Sequence, residues 1–344
     1  MREKGVFLNT VVEDLKVTYM NFGWETEGTF LAAIRVRNIS LRYVSPDRPA
    51  RTRAIPLLRD QQFSGGFVQR GSVISRDTVD MLMVKPGKMP VWHLAQWYSN
   101  HVLTANDLAL QPGGSYEFSN EVNSITRQVS SEGESVLELA ASGQVEWGDS
   151  VRQPGDPWPH MLISQGIGNC PPLDRLDELI LNMETRVRKW ELFREDQYDP
   201  EIQAARYRLN FIVKNVNSSS EGYNDYFWFV MTLFDNRHEW MPGIAIKDKG
   251  SERKQASGKF IYSPPADRYL PETLHNLDWV ELELDILPFI LEGLEKAGEL
   301  GYLTGNGSPE DFSVTYFNIG YELTAAIEIE SQLRNLEVTA YEFK

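Results

Sequence analysis

The sequence predicts an all-β chain folded as an antiparallel β-sandwich, with one short helix near residues 287–299. Short runs of alternating apolar and polar residues recur along its length, separated by Gly, Pro, Asn and Asp turns. The chain carries 9 Trp, 14 Tyr and 16 Phe, and many stand inside those runs, where a pleated surface favours rings. Only LPFILEGLEKAGE spaces its apolar residues helically, with Pro288 in the first turn and Gly298 and Gly301 to end it.

Residues 17–41 and 314–338 align without a gap. Val17, Thr18, Tyr19, Asn21, Gly23, Glu25, Arg37 and Asn38 fall on Val314, Thr315, Tyr316, Asn318, Gly320, Glu322, Arg334 and Asn335. Each copy reads as strand, Gly-containing turn, strand, which predicts an internal repeat. Two related β-sandwich units are therefore expected, 1–170 and 171–344. Residues 44–57, rich in Pro and Arg, read as an exposed connection.

Strands are expected at 67–69, 75–84 and 91–98. In VWHLAQWY, Trp92, Leu94 and Gln96 point one way and His93, Ala95 and Trp97 the other. Residues 106–140 read as hairpins. Further strands are expected at 136–139, 144–147 and 158–165, with the loop GDSVRQPGDP before the last. After Cys170 and two prolines, another strand is expected within 173–194. In 205–235 two strands flank a polar loop, and Tyr226, Trp228 and Val230 share the face opposite Asp225, Phe227 and Phe229. Asp225 and Asp235 lie roughly 33 Å apart along that strand, too far to act as one pair, and Asp235 with Arg237 is expected to form a local ion pair. Residues 259–263 and 279–286 complete the strands.

The stretch 142–165 concentrates chemistry-bearing side chains. Glu146, Arg152, Trp158, His160 and Gln165 supply an acid or base, a fixed cation, a stacking surface and an amide fork, the toolkit of a polyhydroxylated ligand. Trp147, Trp228, His93, Gln96 and Asp225 are candidates to join them. A salt bridge between Glu146 and Arg152 is the bland alternative.

Net charge is −15, which opposes nucleic acid and anionic lipid surfaces. An acidic polysaccharide would need a local basic cleft, for which Arg152, Arg186, Arg188, Arg206, Arg208 and Arg237 are available. One cysteine excludes an internal disulfide framework and a thiolate metal cluster. No stretch reads as a secretory signal or a bilayer span, so a soluble protein is expected, cytoplasmic or exported with its signal removed. Walker, Rossmann, His-Glu-x-x-His and nucleophile-elbow patterns are absent from the sequence, so no cofactor is expected beyond a structural calcium on loop carboxylates.

The strand GQVEWGDSVR leading into DPWPHMLISQ, with the later NDYFWFVMTLFDNR, resembles uncharacterised bacterial carbohydrate-associated jelly-roll proteins over residues 75–344. More distantly it resembles the β-jelly-roll polysaccharide lyases. The resemblance implies a jelly roll that recognises and cleaves a polysaccharide or oligosaccharide. On the lyase pattern Arg152, Glu146 and His160 would be the catalytic group: Arg152 would neutralise a uronate, His160, Tyr226 or Tyr262 would remove the C5 proton, and Gln165 would orient the carboxyl group. A hydrolase would instead pair Glu146 with Asp225 or Glu322. The alternatives are a glycan-binding protein that stacks sugars on Trp97, Trp147, Trp158 and Trp228, and a subunit that buries its aromatic face against a second copy.

Overall fold

A computed structural model describes residues 51–71, 78–85, 87–249, 256–305 and 307–343. The first repeat copy, 17–41, lies outside the described residues. In chain order the strands are β1 (Arg51–Pro56), β2 (Gly66–Arg70), β3 (Thr78–Met83), β4 (Trp92–Ala95), β5 (Leu108–Leu110), β6 (Tyr116–Ser119), β7 (Asn123–Val129), β8 (Ser135–Ser142) and β9 (His160–Gly166). They continue with β10 (Leu176–Leu192), β11 (Ala205–Asn215), β12 (Tyr226–Asp235), β13 (Ile244–Lys247), β14 (Phe260–Ser263), β15 (Val280–Asp285), β16 (Phe312–Leu323) and β17 (Ile327–Phe343). Among the described residues two α-helices accompany them, α1 (Gly143–Trp147) and α2 (Leu287–Glu299).

The strands form a β-sandwich of two sheets. One sheet has eight strands in the order β15-β10-β17-β8-β7-β6-β5, with β1 also on β17; the other has nine, β13-β14-β12-β11-β16-β9-β4-β2-β3. Pairing is antiparallel except for β2 with β4 and β12 with β14. Both sheets take strands from either side of residue 170, so a cut there does not separate two sandwiches within the described residues. Residues 314–338 are likewise not a hairpin. β16 belongs to the nine-stranded sheet and β17 to the eight-stranded one, and residues 324–326 carry the chain between them.

Gly320 is no turn either. It sits inside β16 at φ 148°, where a Cβ would meet the Met161 carbonyl oxygen at 2.1 Å. The connection expected at 44–57 contains β1, paired to the last residues of β17.

Strand alternation places the core. Tyr207, Leu209 and Phe211 on β11, and Phe227, Phe229 and Met231 on β12, are fully buried. They join Leu137 and Leu139 of β8, Leu179 and Leu181 of β10 and Leu333 and Val338 of β17 in one apolar cluster. Burial of each such side chain contributes about 1.5–3 kcal/mol. Two buried tyrosines tie the sheets with hydrogen bonds. Tyr321 of β16 donates to the Leu139 carbonyl at 2.8 Å, and its hydroxyl lies 2.7 Å from Ser331 Oγ; the Tyr207 hydroxyl lies 3.1 Å from Thr185 Oγ1 of β10.

Helix α2 spans the residues the spacing predicts and buries Leu287, Ile290, Leu294 and Ala297. It lies so close to Tyr262 and Phe227 that a Cβ on Gly293 would come within 2.6 Å of Tyr262.

The strand expected at 144–147 is helix α1. Ser142 caps it by accepting from the Val145 N–H at 3.3 Å, and Gly148 leaves it at φ 55°. A Cβ on Gly143 would meet the Ala325 carbonyl at 2.1 Å, so only glycine lets the turn sit this tightly under the crossover between the sheets.

Candidate functional site

The nine-stranded sheet has one face turned to the core and one turned away, and the second holds a cleft of about 910 Å³. The same alternation that buries Tyr207, Leu209 and Phe211 sends Arg206, Arg208 and Asn210 into the cleft. On β12, Tyr226, Trp228, Val230 and Thr232 line it; on β16, Asn318 and Glu322; on β9, His160 and Leu162. Trp97 and Tyr98 follow β4 at one end, and β13, Asp248 and Ser257 bound the other. Six aromatic side chains thus share the wall among the described residues: Trp97, Tyr98, Trp158, Tyr226, Trp228 and Tyr302.

The polar centre is Glu322. It stands opposite His160 on one neighbouring strand and opposite Arg206 on the other. Its Oε1 lies 3.3 Å from His160 Nε2 and also takes Arg208 Nη2, and its Oε2 takes Arg206 Nη1 at 3.4 Å. Burial on its own would push this carboxyl up, yet Arg208, His160 and Arg206 together hold it far below the usual carboxylate range.

Arg206 bonds in turn to Asp235 Oδ2 at 3.1 Å, and Asp235 is gripped by Arg237 at 2.6 Å, the local pair expected from the sequence. Asp235 is likewise held ionised: burial opposes its charge, and Arg237 and Arg206 outweigh that. Deeper in the cleft Asn210 Nδ2 donates to Asn318 Oδ1 at 2.5 Å.

Of the residues singled out from the sequence, His160, Trp158, Trp228, Trp97, Tyr226, Arg206, Arg208 and Glu322 come together in this cleft. His160 packs against the rings of Trp97 and Tyr98, with centroids at 5.8 and 6.4 Å. The Trp158 ring carries two guanidinium groups, Arg206 at 5.3 Å and Arg152 at 5.5 Å. Trp228 Nε1 donates to Ser257 Oγ at 3.2 Å.

The others lie elsewhere. Arg152 is buried behind Trp158, donating to the carbonyls of Ile202 at 2.6 Å and Asp156 at 3.1 Å. Glu146 sits on α1 behind the cleft, accepting from Ser99 Oγ at 2.7 Å and the Asn100 amide at 2.8 Å. It makes no ion pair with Arg152; it fixes the loop after β4. Trp147 is half-buried on α1, outside the cleft.

Gln165 is fully buried, bonded through both ends of its amide to the backbone of Arg59 at 3.0 and 2.7 Å. Gln96 does the same with Leu103 at 3.2 and 2.8 Å. His93 lies 3.0 Å from Arg70, and burial, then Arg70 and Arg59, lower it to about 4. Asp225 holds a loop, accepting from Lys259 at 2.6 Å and the amides of Thr304 and Tyr226 at 2.8 and 2.9 Å. The proposed bases Tyr226 and Tyr262 separate too: Tyr226 faces the cleft, whereas the Tyr262 ring is buried against Phe229 and burial drives its hydroxyl strongly upward.

The residues that form the centre, Arg206, Arg208, Asn210, Asn318 and Glu322, carried a signal in the sequence. RYRLN and NIGYE each set polar residues on one face of an otherwise core-forming strand. No group of three or more His, Cys, Asp or Glu placed to hold a metal ion occurs among the described residues. No described helix is long and apolar enough to cross a membrane.

No protein-family model matches the chain, and no curated protein matches it. Among solved structures the chain is similar to the endoglucanase Cel12A from Rhodothermus marinus, at 14% identity and a TM-score of 0.35, over 68% of this chain and 95% of that one. It is similar to the family 12 xyloglucanase from Bacillus licheniformis at 12% identity and a TM-score of 0.35, over 68% and 97% of the two chains. A third similarity is to the xyloglucanase domain of NopAA from Sinorhizobium fredii, at 13% identity and a TM-score of 0.31, over 65% of this chain and 96% of that one.

Proposed function

We propose that this protein is carbohydrate-active and that the cleft on the nine-stranded sheet receives a glycan chain. The observation that carries this is the wall itself: six aromatic side chains beside hydroxyl, amide and charged groups on one face of a sheet. Flat rings take the apolar faces of a pyranose while Asn210, Asn318, Thr232 and Ser263 offer donors and acceptors to its hydroxyls. The β-strands fix these groups before any ligand arrives, which lowers the cost of ordering them on binding.

Cleavage by hydrolysis is the second reading, and one observation favours it. Two carboxylates line the cleft among the described residues, Glu322 and Asp248, the number a glycoside hydrolase uses. Glu322, held ionised, suits the nucleophile. Asp248 would be the second carboxylate: its Oδ2 accepts from the amide and hydroxyl of Ser257, both at 2.7 Å, while its Oδ1 has no partner among the described residues. The lyase reading loses its arginine, since Arg152 spends its guanidinium on backbone carbonyls behind the wall.

The test is a panel of polysaccharides, followed by tryptophan fluorescence for binding, reducing ends for hydrolysis and absorbance of unsaturated ends for elimination. Binding is expected, and Trp228→Ala is expected to weaken it about tenfold, or about 1.4 kcal/mol. Reducing ends that vanish in Asp248→Asn while binding persists would establish hydrolysis. Absence of binding to every glycan tried, with the protein folded, would overturn the proposal.

A further inference from the structure

We infer that the glycan taken by the cleft is acidic, a chain bearing uronate carboxylates. This rests on the reading of the cleft as a glycan site and goes beyond it by naming the sugar class. The chain as a whole carries −15 and repels anions at long range, so any preference for an acidic ligand must be built locally.

It is built in this cleft. Among the described lining residues four are cationic, Arg206, Arg208, Lys247 and Lys249, against two acids, Glu322 and Asp248.

The simpler account is that the arginines only neutralise buried acids. The pairing shows more cation than that needs. Arg206, Arg208 and Arg237 face three carboxylates, Glu322, Asp235 and Asp248, so the surplus positive charge of the cleft is that of Lys247 and Lys249. The hydrogen bonds leave donors over as well. Arg206 uses Nε on Asp235 and Nη1 on Glu322, and Arg208 uses Nη2 on Glu322. Nη2 of Arg206 and Nη1 of Arg208 have no partner among the described residues, and their side chains keep 20% and 19% exposure.

These guanidinium groups are held still, Arg206 over the Trp158 ring and between two carboxylates, so a ligand carboxylate meets donors already aimed. Lys247 and Lys249, exposed at the β13 end, make no ion pair among the described residues and extend the positive wall to the rim.

The experiment titrates the protein, by tryptophan fluorescence, with galacturonate, mannuronate and glucuronate oligosaccharides and with their carboxyl-reduced counterparts, which keep the ring and lose the charge. At least one uronate chain is expected to bind about tenfold tighter than its reduced form at low salt, with the gap closing in about 1 M NaCl, where the screening length falls to about 3 Å. A Lys247→Ala/Lys249→Ala double variant, altered only at the exposed rim, is expected to shrink that gap. Arg208→Gln is expected to remove most of it, provided its near-ultraviolet circular dichroism matches the parent. Reduced chains binding as tightly as the uronates, with Trp228→Ala weakening both, would overturn the acidic preference and leave the glycan reading standing. No binding of either form would overturn both.

Discussion

His160 Nε2 stands 3.3 Å from Glu322 Oε1 across the β9–β16 ladder, and Arg206 meets the other Glu322 oxygen from β11. Three adjacent strands of one sheet therefore meet at a single buried carboxylate. Glu322→Gln removes the charge and leaves three cationic or donor groups facing an amide. It should lower stability by about 3 kcal/mol, read as a shift of the urea midpoint at unchanged slope. A change under about 0.5 kcal/mol would mean that the arginines find other partners at no cost.

The same carboxyl sets an acid limit. Glu322 is ionised in the folded chain well below the ordinary value of 4.5, and Asp235 below 3.8, so both stabilise the fold above those values. That contribution is lost as pH falls through the folded-state values, because only the unfolded chain takes up the protons. Thermal midpoints measured from pH 5 down to pH 2 should drop steeply for the parent and less steeply for Glu322→Gln.

His93 acts over a different interval. Its unfolded form takes a proton near pH 6.5, which the native form refuses down to about 4. Stability should therefore fall as pH goes from about 6.5 to about 4 and level off below, as far as this group is concerned. His93→Gln should flatten that interval; an unchanged profile would show that Arg70 moves away and lets the ring protonate.

Glu146→Ala separates scaffold from site. Losing the bonds to Ser99 and Asn100 should cost about 1–3 kcal/mol of stability and leave glycan affinity within about twofold. Abolished turnover in a folded, ligand-binding Glu146→Ala protein would return Glu146 to the catalytic group.

Gly320→Ala tests the close approach of β16 to β9. An added methyl would stand 2.1 Å from the Met161 carbonyl oxygen, and φ is 148°, so the strand must shift. The loss should exceed the roughly 1 kcal/mol typical of point substitutions, and cleft binding should weaken with it, since Arg208 and Leu162 flank Gly320 in register.

Much of the sandwich was legible because its strands obey period two. Trp228 and Tyr226 against Phe227 and Phe229, and His160 and Leu162 against Met161 and Ile163, divide between cleft and core as the alternation predicts. Helix α2 was legible because a single stretch has helical spacing. The segment at 144–147 misled because QVEW alternates like a strand, while the cap at Ser142 and the positive φ of Gly148 decide otherwise.

The centre of the cleft was harder to read, for a physical reason. Side chains clustered in sequence at 146–165 reach different sides of the sheet, whereas Arg206, Arg208 and Glu322 meet through cross-strand register between segments more than a hundred residues apart. Nothing local encodes that β16 inserts between β9 and β11.

That insertion governs how the molecule can be made. β16 is the middle strand of one sheet, and β17 joins β10, β8 and β1 in the other, yet they are the last two described strands. While a ribosome still holds residues 312–343, β9, β11, β8 and β10 each lack a neighbour, so the nascent chain carries exposed edges that cannot close until synthesis has passed them. Removing residues 312–343 would abolish the fold outright rather than trim it.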